Sequence, residues 1–399
     1  MADVRSVALG FWVGVGSRDE TPDQAGASHF LEHLLFKGTS TRSAQDIAEA
    51  VEAVGGEMNA FTTRDHTAFY LRVLEGDLEL ALDVLCDIMW NPAFDTDEVE
   101  NERQVILEEL LMLGDEPADW VNELLAAAVW PDHPLGREVL GDADTVGAMP
   151  AGAIRDFHDR YYRPGTTVLA AAGRMEHDRI CSGIDDRFAA SGRPGGGEVP
   201  VRREPTSPSQ PLIVERRPTE QTHLALGMRS VSRHDPDRHA ATLLVHALGG
   251  GASSRLFQEV RERRGLAYSV YAYRSGYDDA GIVGIYAGTA PNRAAETLRV
   301  VTGELEHMAS GVTSRELAVA RGNLVGSMAL GLEDSGARMS RIGRSLLVHG
   351  GVPTIEEIAG WFEGVTVDDL ARMAGSLLEE SRSLAVVGPV GPDDVAGWQ

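Results

Sequence analysis

Cysteine is nearly absent from this chain: there are two, Cys86 and Cys181, in 399 residues. Both sit among apolar neighbours and far apart in sequence. The expectation is two free, buried thiols in a reducing compartment, not a disulfide framework. Basic residues are scarce beside acidic ones, 36 Lys and Arg against 61 Asp and Glu, for a formal charge of −25. That balance argues against nucleic acid or an anionic membrane as a partner. It leaves room for a basic peptide substrate, although solubility alone explains an acidic surface. No apolar run approaches the ~18 residues that a membrane span needs. The opening residues, Met1-Ala2-Asp3-Val4-Arg5-Ser6, lack the charged segment and apolar stretch of a signal peptide. These absences together predict a soluble cytoplasmic protein.

Apolar residues make up 43% of a chain too long for one ordinary core, so two domains of about 200 residues are expected. One stretch stands out, Ala27-Ser28-His29-Phe30-Leu31-Glu32-His33-Leu34-Leu35-Phe36-Lys37-Gly38-Thr39. On a helix, positions i, i+3 and i+4 share a face, which groups His29, Glu32 and His33. Two imidazoles one turn apart can bind the same zinc ion, and the carboxylate beside them can act as base on a metal-bound water. The order His-x-x-Glu-His is the inverted zinc signature. Ser28 is the expected N-cap, and Leu31, Leu34 and Leu35 the expected core contacts.

Around this stretch the pattern alternates between strands and helices. Residues 5–17 read as a strand, 43–54 as a helix ended by Gly55-Gly56, and 58–73 as a strand pair or one long strand. Helices follow at 77–90, 95–113, 117–128 and 154–162, then a strand at 167–172 and a helix at 177–190. Ser191-Gly-Arg-Pro-Gly-Gly-Gly197, with Pro200, Pro205 and Pro208 behind it, reads as a linker. It separates a domain 1–200 from a domain 208–399. The second half has expected strands at 222–227, 267–274, 281–289 and 383–388. Its expected helices lie at 239–248, from Arg255, and at 292–309, 313–329, 334–349 and 366–377.

The halves echo each other in element order and at the start of one long helix. Thr96-Asp-Glu98-Val-Glu-Asn-Glu-Arg103 parallels Ser314-Arg-Glu316-Leu-Ala-Val-Ala-Arg321, with Glu five residues before Arg in both. An internal duplication is the reading that fits. The second copy has Gly251-Ala-Ser-Ser-Arg-Leu-Phe-Gln-Glu where the first has its histidines, so only one copy can hold metal.

A bound zinc needs a third protein ligand, with the fourth position left for water. The helix 95–113 offers Glu98, Glu100, Glu102, Glu108 and Glu109, and geometry alone does not choose among them. Glu102 and Glu109 share a face, seven residues apart, and could supply one ligand and one supporting carboxylate.

Over nearly its whole length the chain resembles the pitrilysin-type inverted-zinc metallopeptidases, in the branch of the mitochondrial processing peptidases and their bacterial relatives. The resemblance implies an α+β fold of two duplicated α/β domains, each a mostly antiparallel sheet packed with helices. In that family the third ligand lies 76 residues after the second histidine, in a Glu-Arg-x-Val-Ile-x-x-Glu segment. Here the segment is Glu102-Arg103-Gln104-Val105-Ile106-Leu107-Glu108-Glu109, and 33 + 76 = 109. The resemblance thus implies Zn²⁺ on His29, His33 and Glu109, with Glu102 as the supporting carboxylate and Glu32 as the base that later protonates the leaving amine. Asn59-Ala60-Phe61-Thr62 looks like the family's edge strand, where the substrate adds as a β-strand. Gly249-Gly250-Gly251 looks like the glycine-rich loop of processing peptidases, a mobile or close-approach segment. Arg261 and Tyr268 resemble the family's Arg-and-Tyr pair, Tyr268 bonding the scissile carbonyl and Arg261 the substrate backbone. Asp119 and Glu123 fall where processing peptidases place acidic residues that recognise an arginine near the cleaved bond.

The implied protein is a zinc metalloendopeptidase acting on peptides or unfolded polypeptide segments, working as a homodimer. The alternative is a non-catalytic subunit or scaffold, a class that usually loses part of the zinc motif. Here His29, Glu32, His33, Glu102 and Glu109 are all present. The family usually begins with a further strand and hairpin before the region matching Val4–Gly16, so either the start codon is short or the first sheet lacks an edge strand.

Overall fold

Ser6–Val13 joins β-branched, aromatic and small residues in one extended run, and it forms the central strand β1 of the first sheet. The computed structural model describes residues 1 and 3–396. They divide into two units, each drawn from both halves of the chain. Unit 1 comprises Met1–Leu111, Arg137–Val201 and Ala329–Pro353. Unit 2 comprises Met112–Gly136, Arg202–Met328 and the chain from Thr354 on.

The first half carries β2 (Glu57–Thr62), β3 (Thr67–Leu74) and β4 (Thr167–Gly173). Its helices are α1 (Ala27–Leu34), α2 (Ala44–Glu52), α3 (Leu78–Trp90), α4 (Thr96–Asp115), α5 (Pro117–Val129), α6 (Ala143–Ala148), α7 (Ala151–Tyr161) and α8 (His177–Ser191). The second half carries β5 (Leu212–Arg216), β6 (Thr222–Ser230), β7 (Ala267–Gly276), β8 (Gly281–Thr289) and β9 (Arg382–Gly388). With them come α9 (Arg238–Gly249), α10 (Ala294–Ser310), α11 (Ser314–Gly331), α12 (Ser335–His349), α13 (Ile355–Glu363) and α14 (Val367–Glu379).

In unit 1 the strand order is β2-β3-β1-β4, antiparallel throughout. The two faces of β1 are both buried, by different partners. Val7, Leu9, Phe11 and Val13 point into a core with Phe30 and Leu31 of α1 and the apolar face of α3. Ala8 and Trp12 point the other way, onto Met339 of α12. That second face is made of small residues, Ala8, Gly10, Ala68, Ala170 and Ala172, which lets α12 come close. A Cβ on Gly10 would stand 2.8 Å from the Met339 sulfur, so the contact depends on its absence.

Unit 2 repeats the plan. Its order is β5-β9-β6-β8-β7, in which β7-β8-β6-β9 matches β2-β3-β1-β4, and β5 adds in parallel to β9. One face packs on α9, α10 and α14. The other packs on Val121, Leu125 and Val129 of α5, with Leu125 seated over Gly227. Each sheet is therefore covered on one face by a helix encoded in the opposite half. The echoing arginines also behave alike. Arg103 donates to the Val146 and Met149 carbonyls before α7, and Arg321 donates to the Val365 carbonyl before α14 at 2.9 Å.

Several expectations need correction. The sequence reading missed β5, α6 and α13, all under ten residues. The helix expected from Arg255 does begin there, but from Phe257 to Arg263 it is π-helical. Ser28 does not cap α1: Gly26, at φ 96°, holds that position. Both cysteines are free, but Cys181 is exposed, because it lies on the outer side of α8. Among the described residues, no helix is long and apolar enough to cross a membrane.

Candidate metal centre

The motif helix begins where its backbone is held by a buried carboxylate. Glu20 accepts from the Gly26 N–H at 2.8 Å and from the Ser28 N–H at 2.7 Å. These N–H groups open the first turn, where a helix has no internal acceptors. Arg137 in turn donates to the Glu20 carbonyl at 2.7 Å. Phe30, Leu31 and Leu34 fix the helix on the core, which leaves His29, Glu32 and His33 half-buried on the other side.

Helix α4 brings its carboxylates to that face. Glu109 Oε2 lies 3.6 Å from His29 Nε2 and 3.4 Å from His33 Nε2, and the imidazole centroids are 4.7 Å apart. Glu102, buried, takes the far side of His33: its Oε2 is 2.9 Å from Nδ1. Its Oε1 is paired with Lys37 Nζ at 2.7 Å. An ionised carboxylate only accepts, so His33 Nδ1–H donates to Glu102, and Nε2 is the ring nitrogen that faces Glu109. The other α4 glutamates do not compete. Glu100 pairs with Arg103, and Glu108 is exposed.

This donor set fits zinc. His29, His33 and Glu109 each offer one atom, all within 4.8 Å of one another. Tetrahedral zinc with ligands at 2.0–2.1 Å separates neighbouring donors by about 3.3 Å, close to the 3.4 and 3.6 Å seen. Burial, and then the neighbouring His33, pulls the His29 pKa down to about 3. It is thus the neutral imidazole that a metal requires. Both Nε2 atoms face the same oxygen, Glu109 Oε2, so the three donors converge on one point.

Glu32 projects from the same face. Burial pushes its pKa up, opposed by hydrogen bonds from Thr62 and by His33, while the Glu109 charge adds to the rise. A raised pKa suits a carboxylate that must take and return a proton. Thr62 ends β2, and its hydroxyl also faces the Ser28 carbonyl at 3.5 Å, so the metal donors and the edge strand adjoin. Asn59, Ala60 and Phe61 lie on that strand, with Ala60 buried and Asn59 exposed.

The remaining candidates lie in unit 2. Arg261 and Tyr268 are brought together: the guanidinium sits 4.3 Å from the phenol ring centroid and donates to the Tyr268 carbonyl at 3.1 Å. Tyr268 is 76% exposed, so its hydroxyl is open to a ligand. The glycine segment is largely not a loop. Gly249 is the last residue of α9 and Gly250 its C-cap. A Cβ on Gly249 would meet the Ala272 nitrogen at 2.3 Å, and one on Gly250 would meet His246. These two glycines permit close packing, and only Gly251 has open space. Asp119 is exposed near the start of α5, and Glu123 is half-buried one turn on.

Sequence reasoning missed Glu20 and Lys37, and the hydrogen bond of Thr62 to Glu32. Lys37 follows His33 by four residues, the helical spacing that places a cation beside a carboxylate partner of that face. Glu20 sits in a polar stretch with no periodicity to show that it is buried.

Residues 2–143 match the family model described as insulinase, peptidase family M16, and residues 149–324 match the peptidase M16 inactive domain. The chain is 46% identical to an "uncharacterized zinc protease" of Streptomyces coelicolor, covering 98% of this chain and 86% of that one. Proteins described in the same words from Mycobacterium tuberculosis and Bacillus subtilis are 46% and 38% identical, over 97% of this chain and 89% and 94% of theirs. The chain belongs to the M16 peptidase family. Its cofactor is zinc. The fold likeness extends to solved structures at 23% identity. One is a peptidase M16 inactive domain from Pseudomonas fluorescens, with a TM-score of 0.90 over 98% of this chain and 94% of that one. Another is a protease from Helicobacter pylori, with a TM-score of 0.89 over 96% and 94%. The half of this M16 chain that matches the inactive-domain model is the half without the histidine motif.

Proposed function

We propose that this M16 peptidase is an endopeptidase that hydrolyses peptides and flexible or unfolded polypeptide segments. The observation that carries the reading is the convergence of His29, His33 and Glu109, with Glu32 on the same face and outside the donor set. Zinc held by the three donors would supply Lewis acidity, acidifying a water and polarising the peptide carbonyl. Glu32 takes the proton of the attacking water and returns it to the departing amine. Glu102 holds the His33 ring by its Nδ1–H, and so keeps Nε2 aimed at the metal position. Glu20 holds the first turn of the helix that presents all three motif side chains.

The substrate is read backbone first, by addition to the open edge of β2 at Asn59, Ala60 and Phe61. Tyr268 is assigned to the carbonyl oxygen of the cleaved bond and Arg261 to the peptide backbone. Asp119 and Glu123 are assigned to an arginine side chain of the substrate. Gly251 is the one glycine of its segment with room to adjust to a ligand. The working form is taken to be a cytoplasmic homodimer, because one chain carries both the histidine motif and the glycine segment. Light scattering at working concentration checks that form.

The test is Glu32→Gln. The variant should bind about one zinc per chain, as the wild type does, and lose at least about a thousand-fold in kcat on a peptide mixture read by mass spectrometry. Retained activity removes Glu32 as the base. A wild type without zinc would favour the non-catalytic subunit instead.

A further inference from the structure

Tyr268 stands on an irregularity of its strand. The ladder between β7 and β8 pairs Ala267 with Thr289 and Ser269 with Gly288, passing over Tyr268. Such a bulge re-aims one side chain and leaves its backbone out of the pairing. Arg261 meets both parts of the displaced residue. Its guanidinium donates to the Tyr268 carbonyl at 3.1 Å and lies over the phenol ring, 4.3 Å from the centroid. With 76% of the tyrosine in water, the guanidinium supplies the contact that holds the ring.

Arg261 itself needs holding. Its side chain is 33% exposed, and a long arginine stem is costly to immobilise. The adjacent Glu262 offers a carboxylate 3.6 Å from Nε, but that group is 51% exposed, and a solvent-screened pair at this distance contributes little. Phe257 offers more. The guanidinium lies over its ring too, 4.8 Å from the centroid, inside the ~6 Å reach of a cation–π contact. The helix fixes the phenylalanine. Phe257–Arg263 is π-helical, a form that recurs at functional sites. Leu256 and Val260 are fully buried in the core of unit 2. Phe257 and Arg261 each follow one of these anchors by one residue, so they share the adjoining, half-buried face.

We propose that Phe257 is a positioning residue: through Arg261 it fixes the ring of Tyr268, so that the hydroxyl is already aimed when a peptide carbonyl arrives. The inference rests on the role assigned to Tyr268 above and adds the residue that prepares it. Ordering the tyrosine before the substrate binds removes that cost from the chemical step.

The test uses the zinc-loaded full chain and a fluorogenic peptide that the wild type cleaves. Phe257→Leu keeps apolar bulk and loses the ring face. Its kcat should fall about two- to five-fold, the size of one partly exposed cation–π contact. KM should stay within about 1.5-fold, because the interaction weakened is one made in the transition state. Phe257→Tyr, which keeps a ring, should restore kcat. In a Tyr268→Phe background the same Phe257→Leu change should cost nothing further, since no hydroxyl is left to aim. A loss shared by Phe257→Tyr, a loss that persists in Tyr268→Phe, or no loss at all overturns the proposal. If thermal unfolding shows that Phe257→Leu does not fold, Phe257→Met takes its place. A readout independent of activity is the Arg261 Nε–H resonance in arginine-labelled protein, assigned by its absence in Arg261→Lys. Ring currents should hold it upfield, and it should move downfield in Phe257→Leu. Failure of the wild type to cleave any peptide would defeat the peptidase reading instead, and the resonance then decides: a downfield move upholds the contact through which Phe257 acts, and an unmoved signal overturns it.

Discussion

Removing Glu102 separates the orientation of a metal ligand from the ligand itself. The carboxylate is only 5% exposed and has two charge-assisted contacts, to His33 Nδ1 at 2.9 Å and to Lys37 Nζ at 2.7 Å. In Glu102→Ala the Lys37 ammonium, 35% exposed, can turn to water, so its loss of a partner costs little. The His33 ring, 16% exposed, loses the acceptor that fixes its tautomer and tilt. Outer partners of this kind are worth about 10- to 100-fold in metal affinity, or about 1.4–2.7 kcal/mol. Glu102→Gln keeps a carbonyl oxygen for the Nδ1–H and loses only charge, so it should weaken zinc by less than about ten-fold. The assay is competition for zinc against a chromogenic chelator, beside thermal unfolding of the metal-free proteins to separate affinity from folding. Zinc affinity in Glu102→Ala within about two-fold of wild type would refute the orienting role. Equal losses in the two variants would show that charge, not geometry, is what Glu102 supplies.

Two further perturbations probe other parts of the molecule. Glu20→Ala leaves the Gly26 and Ser28 N–H groups without their buried acceptor, and should destabilise unit 1 by about 1–3 kcal/mol in denaturant titrations of the metal-free protein; unchanged stability would mean that water replaces the carboxylate. In unit 2, hydrogen bonding to Arg255 lowers the Glu316 pKa to about 2 from an ordinary 4.5. A depressed carboxyl stabilises the fold above its unfolded pKa and stops doing so as pH falls from about 4.5 to 2, by up to about 2–3 kcal/mol. The deficit of Arg255→Met should therefore be large at pH 7, fall to less than half at pH 3 and become small only near pH 2, and a deficit independent of pH would remove the ion pair as its cause.

The face shared by His29, Glu32 and His33 was legible in the sequence because helical spacing alone groups them. Spacing alone did not choose the third donor, which only the family resemblance pointed to: five glutamates occupy α4, and what sets Glu102 and Glu109 apart is that they face the histidines of α1, a tertiary fact. The repeat was legible in element order and in the Glu98–Arg103 and Glu316–Arg321 echo, which the parallel bonds of Arg103 and Arg321 explain. The helices covering the outer faces of the sheets were not assigned. Amphipathicity tells that α5 and α12 bury a face, and says nothing about which strands receive it. The N-cap expectation failed at Ser28 because a distant carboxylate, Glu20, supplies the acceptor that a local serine usually provides. Gly249 and Gly250 look flexible in sequence but are required by packing.

The exchange of α5 and α12 between the halves has a consequence for how the protein is made. The segment completing unit 1 ends at Pro353, 152 residues after Val201. At about 5–20 residues per second, a ribosome takes roughly 8–30 s to bridge that distance. Through that interval the small-residue face of β1, β3 and β4 waits uncovered on the nascent chain. A gene split at the linker would yield two fragments, each with one bare sheet face and one orphan helix. Mixed together, the two fragments hold everything each sheet requires.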